Sequence, residues 1–283
     1  MKLLVLGDSH TASIKFGWDE IKSAHPGKEL SFFALPGERI RRLVVREGRL
    51  VMSEKAPMGN RAKFEAEFPA GYIDLQDYDA VLLVGLIENM HSLILSNAET
   101  DLPMQAAQPA QSEGLLSKLR RGRGTAAGRP IGTRAMFEAA WADIFQTSKL
   151  ETLLRRLDKM PPTRCFLTIN PHVTEKITSI SKTMGPAYRR AAKEQAAVEV
   201  LSQIAAQGLA RNLPEGVELI AQPEETVVSG CMTGSRFTSG AEKYYGEGET
   251  FGKKDIYHAN RAYGILILEE FFARLAADEG RDT

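Results

Sequence analysis

Leu3-Leu4-Val5-Leu6-Gly7-Asp8-Ser9-His10 is the stretch on which the fold turns. Four apolar residues run without a break into a Gly-Asp-Ser-His turn. A run of that kind reads as a strand buried on both faces, as in a parallel sheet covered by helices. Gly7 ends the strand and allows a tight turn. Ile14, Trp18 and Ile21 then recur at helical spacing, so a helix is expected over Thr11 to Ala24. Ser9 falls at a strand-to-helix turn, at the carboxyl end of the first strand. That edge is where ligands bind in open α/β sheets, and helix-start N–H groups point there. Two readings follow for this turn: Asp8 and Ser9 cap the helix, or Ser9 is a nucleophile.

Outward from that strand, the order is strand, helix, strand, strand, helix, strand, helix, strand, helix. It points to an α/β sandwich with the first strand central. Glu29 to Leu35 reads as the second strand and ends at Pro36-Gly37. Tyr78 to Gly85 is the strongest strand after the first, and Leu86 to Ser96 follows with Glu88, Asn89 and His91. Arg164 to Ile169 is the fourth strand, with Asn170-Pro171-His172 at its end, and Val217 to Ala221 is a short fifth. Thr133 to Met160 reads as helical, Pro186 to about Asn212 as one long helix, and Ala262 to Ala276 as the closing helix.

Two stretches read as insertions into one domain spanning 1–283. Residues 39–70 hold a hairpin folded at Glu47-Gly48, with Arg39, Arg41, Arg42, Arg46 and Arg49 as candidate anion contacts on a flap or as solvated surface. Residues 97–132 are rich in Ala, Gln, Pro and Gly and carry the basic patch Lys118 to Gly124. A connection of that length reads as a lid, a binding loop or disorder.

Composition narrows the function. Of 283 residues, 36 are Lys or Arg and 36 are Asp or Glu, so no nucleic acid or polyanion is expected as a partner. The hydrophobic share of 43% is that of an ordinary globular protein able to bury a core without staples. Cys165 and Cys231 form no disulfide framework, and no His, Asp and Glu cluster has metal spacing, so neither a metal nor a cofactor is expected. The N-terminal apolar run is too short for a signal peptide and no run is long enough to span a bilayer. The expected location is therefore cytoplasmic, with no membrane partner.

The last motif is Asp255-Ile256-Tyr257-His258-Ala259-Asn260, before the closing helix. Three residues apart on a turn, an aspartate can hold one imidazole nitrogen while the other accepts a serine proton. Alone, it reads first as a helix-capping turn assisted by Asn260. Together with Gly7-Asp8-Ser9 at the other end, it reads as a Ser9, His258, Asp255 triad.

That pairing resembles the SGNH hydrolases, also called GDSL-type esterases and lipases. Gly7-Asp8-Ser9 looks like their first block and Asp255-x-x-His258 like their last. Gly37 looks like the second-block glycine whose N–H joins the oxyanion hole. The resemblance implies a three-layer α/β/α sandwich: a flavodoxin-like parallel sheet with strand order 2-1-3-4-5. It also implies a serine esterase without cofactor, acting on a small-molecule or carbohydrate ester. An acyltransferase, a non-catalytic glycan- or ligand-binding protein and, more weakly, an anion-cradling nucleotide binder remain alternatives. The third block departs from the family's Gly-x-Asn: Ile87 stands two residues after Gly85. Asn89 is the nearest oxyanion candidate and needs a bulge or a shifted helix start to reach the site; Asn170 is its substitute. His10, His91 and His172 are candidate pocket residues or satisfied structural histidines, His25 is placed at the surface, and Glu88 is either a binding group or a helix-start carboxylate.

Overall fold

A computed structural model describes residues 1–99, 132–160, 163–246 and 248–279. In chain order it contains β1 (Lys2–Gly7), α1 (Thr11–Ile21), β2 (Glu29–Ala34), β3 (Leu43–Arg46), β4 (Arg49–Met52), α2 (Met58–Glu67) and β5 (Ala80–Val84). Then come α3 (His91–Glu99), α4 (Arg134–Gln146), α5 (Lys149–Leu157), β6 (Arg164–Thr168), α6 (Ile177–Ile180), α7 (Gly185–Ala191) and α8 (Gln195–Asn212). The chain continues with β7 (Val217–Ile220), the short pair β8 (Val227–Val228) and β9 (Met232–Thr233), and α9 (Arg261–Glu279).

Five strands form a parallel sheet in the order β2-β1-β5-β6-β7. The expected order 2-1-3-4-5 takes this form because β3 and β4 stand apart as an antiparallel hairpin between the second and third strands of the sheet. β1 is flanked on both sides: Leu3 pairs with Leu30 and Ala80, and Gly7 with Ala34 and Val84. Its four apolar residues are fully buried because successive side chains enter two different cores. Leu4 and Leu6 pack with Phe33, Leu83 and Leu167 under Phe64, Trp141, Leu153 and Leu201, from α2, α4, α5 and α8. Leu3 and Val5 pack with Leu82 and Phe166 under Ile14 and Trp18 of α1 and Ile267, Leu268 and Phe271 of α9.

α1 and α9 cross at two glycines. A Cβ on Gly264 would collide with the Ser13 carbonyl, and one on Gly17 would stand 2.8 Å from the Ile265 nitrogen. The backbones meet there without intervening side chains. This contact brings the first and last helices together, and with them the loops that precede each.

The hairpin turns at Glu47 (φ 51°) and Gly48 (φ 73°), two consecutive left-handed residues, as a tight two-residue hairpin loop requires. Its arginines are largely occupied within the chain. Arg41 bonds Glu38, Thr152 and the Thr147 carbonyl, Arg46 pairs with Glu54, and Arg49 pairs with Asp74 over the Tyr72 ring. Arg156 of α5 donates to the carbonyls of Arg41 and Leu43, fixing the hairpin's base.

Two helices expected to be continuous are broken. Between α4 and α5 the chain turns at Thr147-Ser148, where the Ser148 hydroxyl accepts the Glu151 N–H and starts a new helix. Between α7 and α8 it turns at Ala192 to Glu194. α3 begins at His91 rather than just after β5. The basic patch at 118–124, with most of the second insertion, lies outside the described residues. Cys165 and Cys231 are free thiols, and no helix among the described residues is long and apolar enough to cross a membrane.

Candidate active site

The carboxyl edge of the sheet is a set of loops stitched to one another by backbone bonds. Asp8 N–H donates to Val84 O (3.3 Å), Leu35 N–H to Gly7 O (3.1 Å), Gly85 N–H to Thr168 O (2.9 Å) and Asn170 N–H to Ile87 O (3.2 Å). The loops after β1, β2, β5 and β6 therefore form one continuous rim.

Ser9 stands on this rim at the start of α1. Its hydroxyl does not cap the helix; it lies 2.9 Å from His258 Nε2. Asp8 takes the turn-forming role instead, its Oδ1 accepting the His10 N–H at 3.0 Å. His258 Nδ1 lies 3.0 Å from Asp255 Oδ1, and the second Asp255 oxygen accepts the His258 N–H at 3.0 Å. With its proton on Nδ1, the ring donates to Asp255 and leaves Nε2 to accept the Ser9 O–H. Burial pushes the Asp255 carboxyl upward, but the hydrogen bond and charge of His258, with nearby backbone N–H groups, outweigh it and hold the acid below its usual range. The carboxylate thus stays ionised, the form that fixes the tautomer and steadies an imidazolium.

The loop carrying His258 is anchored by Asn260. Its side chain donates to the carbonyls of Arg236 and Ser239 and accepts the N–H groups of Ala262 and Tyr263 at the start of α9. The His258 ring is also sandwiched. Phe251 lies flat on one face, centroids 3.6 Å apart and planes 6° from parallel, and His10 stacks at 4.9 Å and 22°. Burial drives the His10 imidazole down to about 4, so it contributes an uncharged ring.

Beneath the turn, Lys149 at the start of α5 reaches Asp8 and forms an ion pair almost shut off from solvent. Burial opposes the charge on Asp8, but His10 and the Lys149 ammonium together hold the carboxyl below its usual range. Sequence reasoning missed both Lys149 and Phe251. The pairing of Lys149 with Asp8 spans 141 residues and has no local pattern, and Phe251 sits in a stretch without periodicity.

The oxyanion candidates are placed unequally. Ser9 N–H donates to no acceptor among the described residues, as it must if it is to meet a ligand. Gly37 is exposed and left-handed (φ 60°) at the first position of a 3-10 turn, where an N–H has no intrahelical partner. Gly85 (φ 74°) and Leu86 (φ 75°) are both left-handed, which supplies the bulge after β5 and delays α3. Asn89 spends its Oδ1 on the Met90 N–H at 2.9 Å and lines a cavity beside the triad. Asn170 lines the same cavity, with a buried Oδ1 that has no partner among the described residues, close to Gly85 and Asp8.

The remaining histidines separate cleanly. His91 Nδ1 lies 2.7 Å from the Tyr188 hydroxyl, and burial lowers its pKa. His172 is driven to about 4 by burial. Both line the cavity. His25 is half-buried against Trp18 and Phe272, away from the rim. A larger cavity of about 640 Å³ lies at the opposite edge, among the starts of β6 and β7, where the triad residues do not reach. Among the described residues no group of three or more His, Cys, Asp or Glu is placed to hold a metal ion. No family model, curated protein or solved structure matches the chain.

Proposed function

We propose that the protein is a serine hydrolase acting on carboxylic esters. One observation carries this: the unbroken hydrogen-bond chain from Ser9 Oγ through His258 to Asp255. A capping serine has no need of an imidazole, and a capping turn at 255–260 has no need of a serine 249 residues away.

In this reading Ser9 Oγ attacks the ester carbonyl as His258 Nε2 takes its proton. The carbonyl oxygen becomes an oxyanion held by Ser9 N–H, with Gly37 N–H and Asn89 on the adjoining loops as further donors. His258 then gives its proton to the leaving alkoxide, and the alcohol departs. Water repeats the sequence on the acyl-enzyme: it loses a proton to His258, attacks, and releases the acid while Ser9 regains its hydrogen. Asp255 remains ionised and holds the imidazolium in each half. An oxyanion donor is worth roughly 2.7–4 kcal/mol of transition-state stabilisation; the Met90 N–H occupies Asn89 Oδ1 and leaves the Asn89 amide N–H groups as the donors in this reading.

The helices on both sheet faces fit the three-layer, flavodoxin-like arrangement that the SGNH resemblance implies. Two free thiols fit a reducing, cytoplasmic setting. A fluorophosphonate probe should label the wild-type protein at Ser9 and fail on Ser9→Ala, and p-nitrophenyl acetate should be hydrolysed by the first and not the second. Folded wild-type protein that neither labels nor hydrolyses would remove this reading.

A further inference from the structure

Next to the triad is a cavity of about 280 Å³ whose walls include His10, Glu88, His91, His172, Tyr188 and Tyr257. It adjoins the reacting atoms: the His10 ring that lines it stacks on His258, and Tyr257 is the residue before His258. Its charge is one-sided. Among the described residues Glu88 is the sole carboxylate of the lining, and no lysine or arginine lines it. Glu88 forms no ion pair among the described residues; one oxygen accepts the Ser92 N–H at 3.2 Å and the other has no donor there. Burial keeps His10 and His172 uncharged down to about 4 and lowers His91 as well. Glu88 therefore faces no cationic side chain among the described residues of this lining.

The walls are aromatic. Tyr188 lies nearly parallel to His91, centroids 5.8 Å apart at 20°, and Tyr257 stands perpendicular to His91 at 5.8 Å and 88°. The rings form a corner close enough to Glu88 for its charge to act on all three. A carboxylate among π faces attracts a cation and repels an anion.

We propose that this cavity receives a positively charged, ammonium-bearing part of the substrate, with Glu88 supplying the countercharge and Tyr188 and Tyr257 the aromatic walls. The assignment rests on the esterase reading for its catalytic test, but not for its binding test. Glu88 holds the start of α3 with one oxygen, through the Ser92 N–H, and its other oxygen meets no donor among the described residues. A cation entering the cavity would supply that partner.

The catalytic test compares acetylcholine with its uncharged isostere, 3,3-dimethylbutyl acetate, near pH 7. The wild-type protein should favour the cationic ester by about tenfold or more in kcat/KM, and Glu88→Gln should bring the ratio close to one. Tyr257→Leu, at an exposed ring, should lower the ratio in the same direction and serves if Glu88→Gln fails to fold. Equal kcat/KM for the two esters in the wild type, a preference unmoved by either variant, or a preference for an acetylated sugar over both overturns the proposal. The binding test measures choline by calorimetry on Ser9→Ala, which has no nucleophile. Binding there that disappears in the Ser9→Ala, Glu88→Gln double variant supports the pocket even if no ester is hydrolysed. Hydrolysis of both esters without choline binding leaves the esterase reading standing and removes this one.

Discussion

The Lys149 ammonium is paired with the Asp8 carboxylate one residue before Ser9. Asp8 also receives the His10 N–H, so a single ion pair shapes the turn that presents the hydroxyl to His258. Asp8 is 3% exposed and Lys149 17%, so removing one partner strands a buried charge. Lys149→Met should cost roughly 3–5 kcal/mol of stability. Adding Asp8→Asn should recover a large part of that loss, as read from urea unfolding midpoints in a double-mutant cycle. Additive losses would mean that the two groups do not act as a pair.

Asp255→Asn keeps the size of the side chain but favours the imidazole tautomer with its proton on Nε2. Ester hydrolysis should fall by about 10³–10⁴ in kcat, with little change in the thermal midpoint. A loss below tenfold would show that Asp255 does not orient His258.

Stability should decline as the solution is acidified from pH 6.5 toward 4. His10 and His172 are held at about 4 in the folded protein against 6.5 for the free side chain. Within that window the unfolded chain binds more protons than the folded one, so lowering the pH favours unfolding; above 6.5 neither group contributes. Each histidine carries at most about 3 kcal/mol across the window. Urea midpoints measured from pH 7.5 to 4.5 check this, and His172→Gln should make the decline shallower. Asp8 and Asp255, both held low, add a further loss only as the pH falls through the carboxylate range.

Gly264→Ala places a methyl group against the Ser13 carbonyl where α1 and α9 cross. Helix propensity would favour the alanine by roughly 1 kcal/mol, but the collision opposes it. A net loss of about 2 kcal/mol or more is expected, with weaker fluorophosphonate labelling because the loops before the two helices separate. Thermal melting and labelling rate measured together would reveal this; a stabilised variant would contradict the close crossing.

Leu3 to Leu6 could be read as a two-faced central strand because burial on both sides leaves no polar position to interrupt the run. Glu47-Gly48 gave away its hairpin through Gly48, which takes left-handed backbone freely, and Asp255 and His258 could be paired because three residues on a turn settle their geometry locally. The loop after β5 was less legible. Gly85 at φ 74° is unremarkable, but Leu86 at 75° is a conformation side chains seldom adopt and no local pattern announces. That one residue delays α3 to His91 and decides where Glu88 and Asn89 fall. The breaks at Thr147-Ser148 and Ala192 to Glu194 were hidden because apolar spacing continues through them, although Ser148 is a recognisable cap. Lys149 and Phe251 reach the site only through tertiary packing.

The hydrogen bond between Ser9 and His258 joins positions 249 residues apart. Ser9 follows the first strand of the sheet, and His258 follows the last. The contact therefore waits until all five strands exist, and docking of the closing helix on the first helix is the event that completes it.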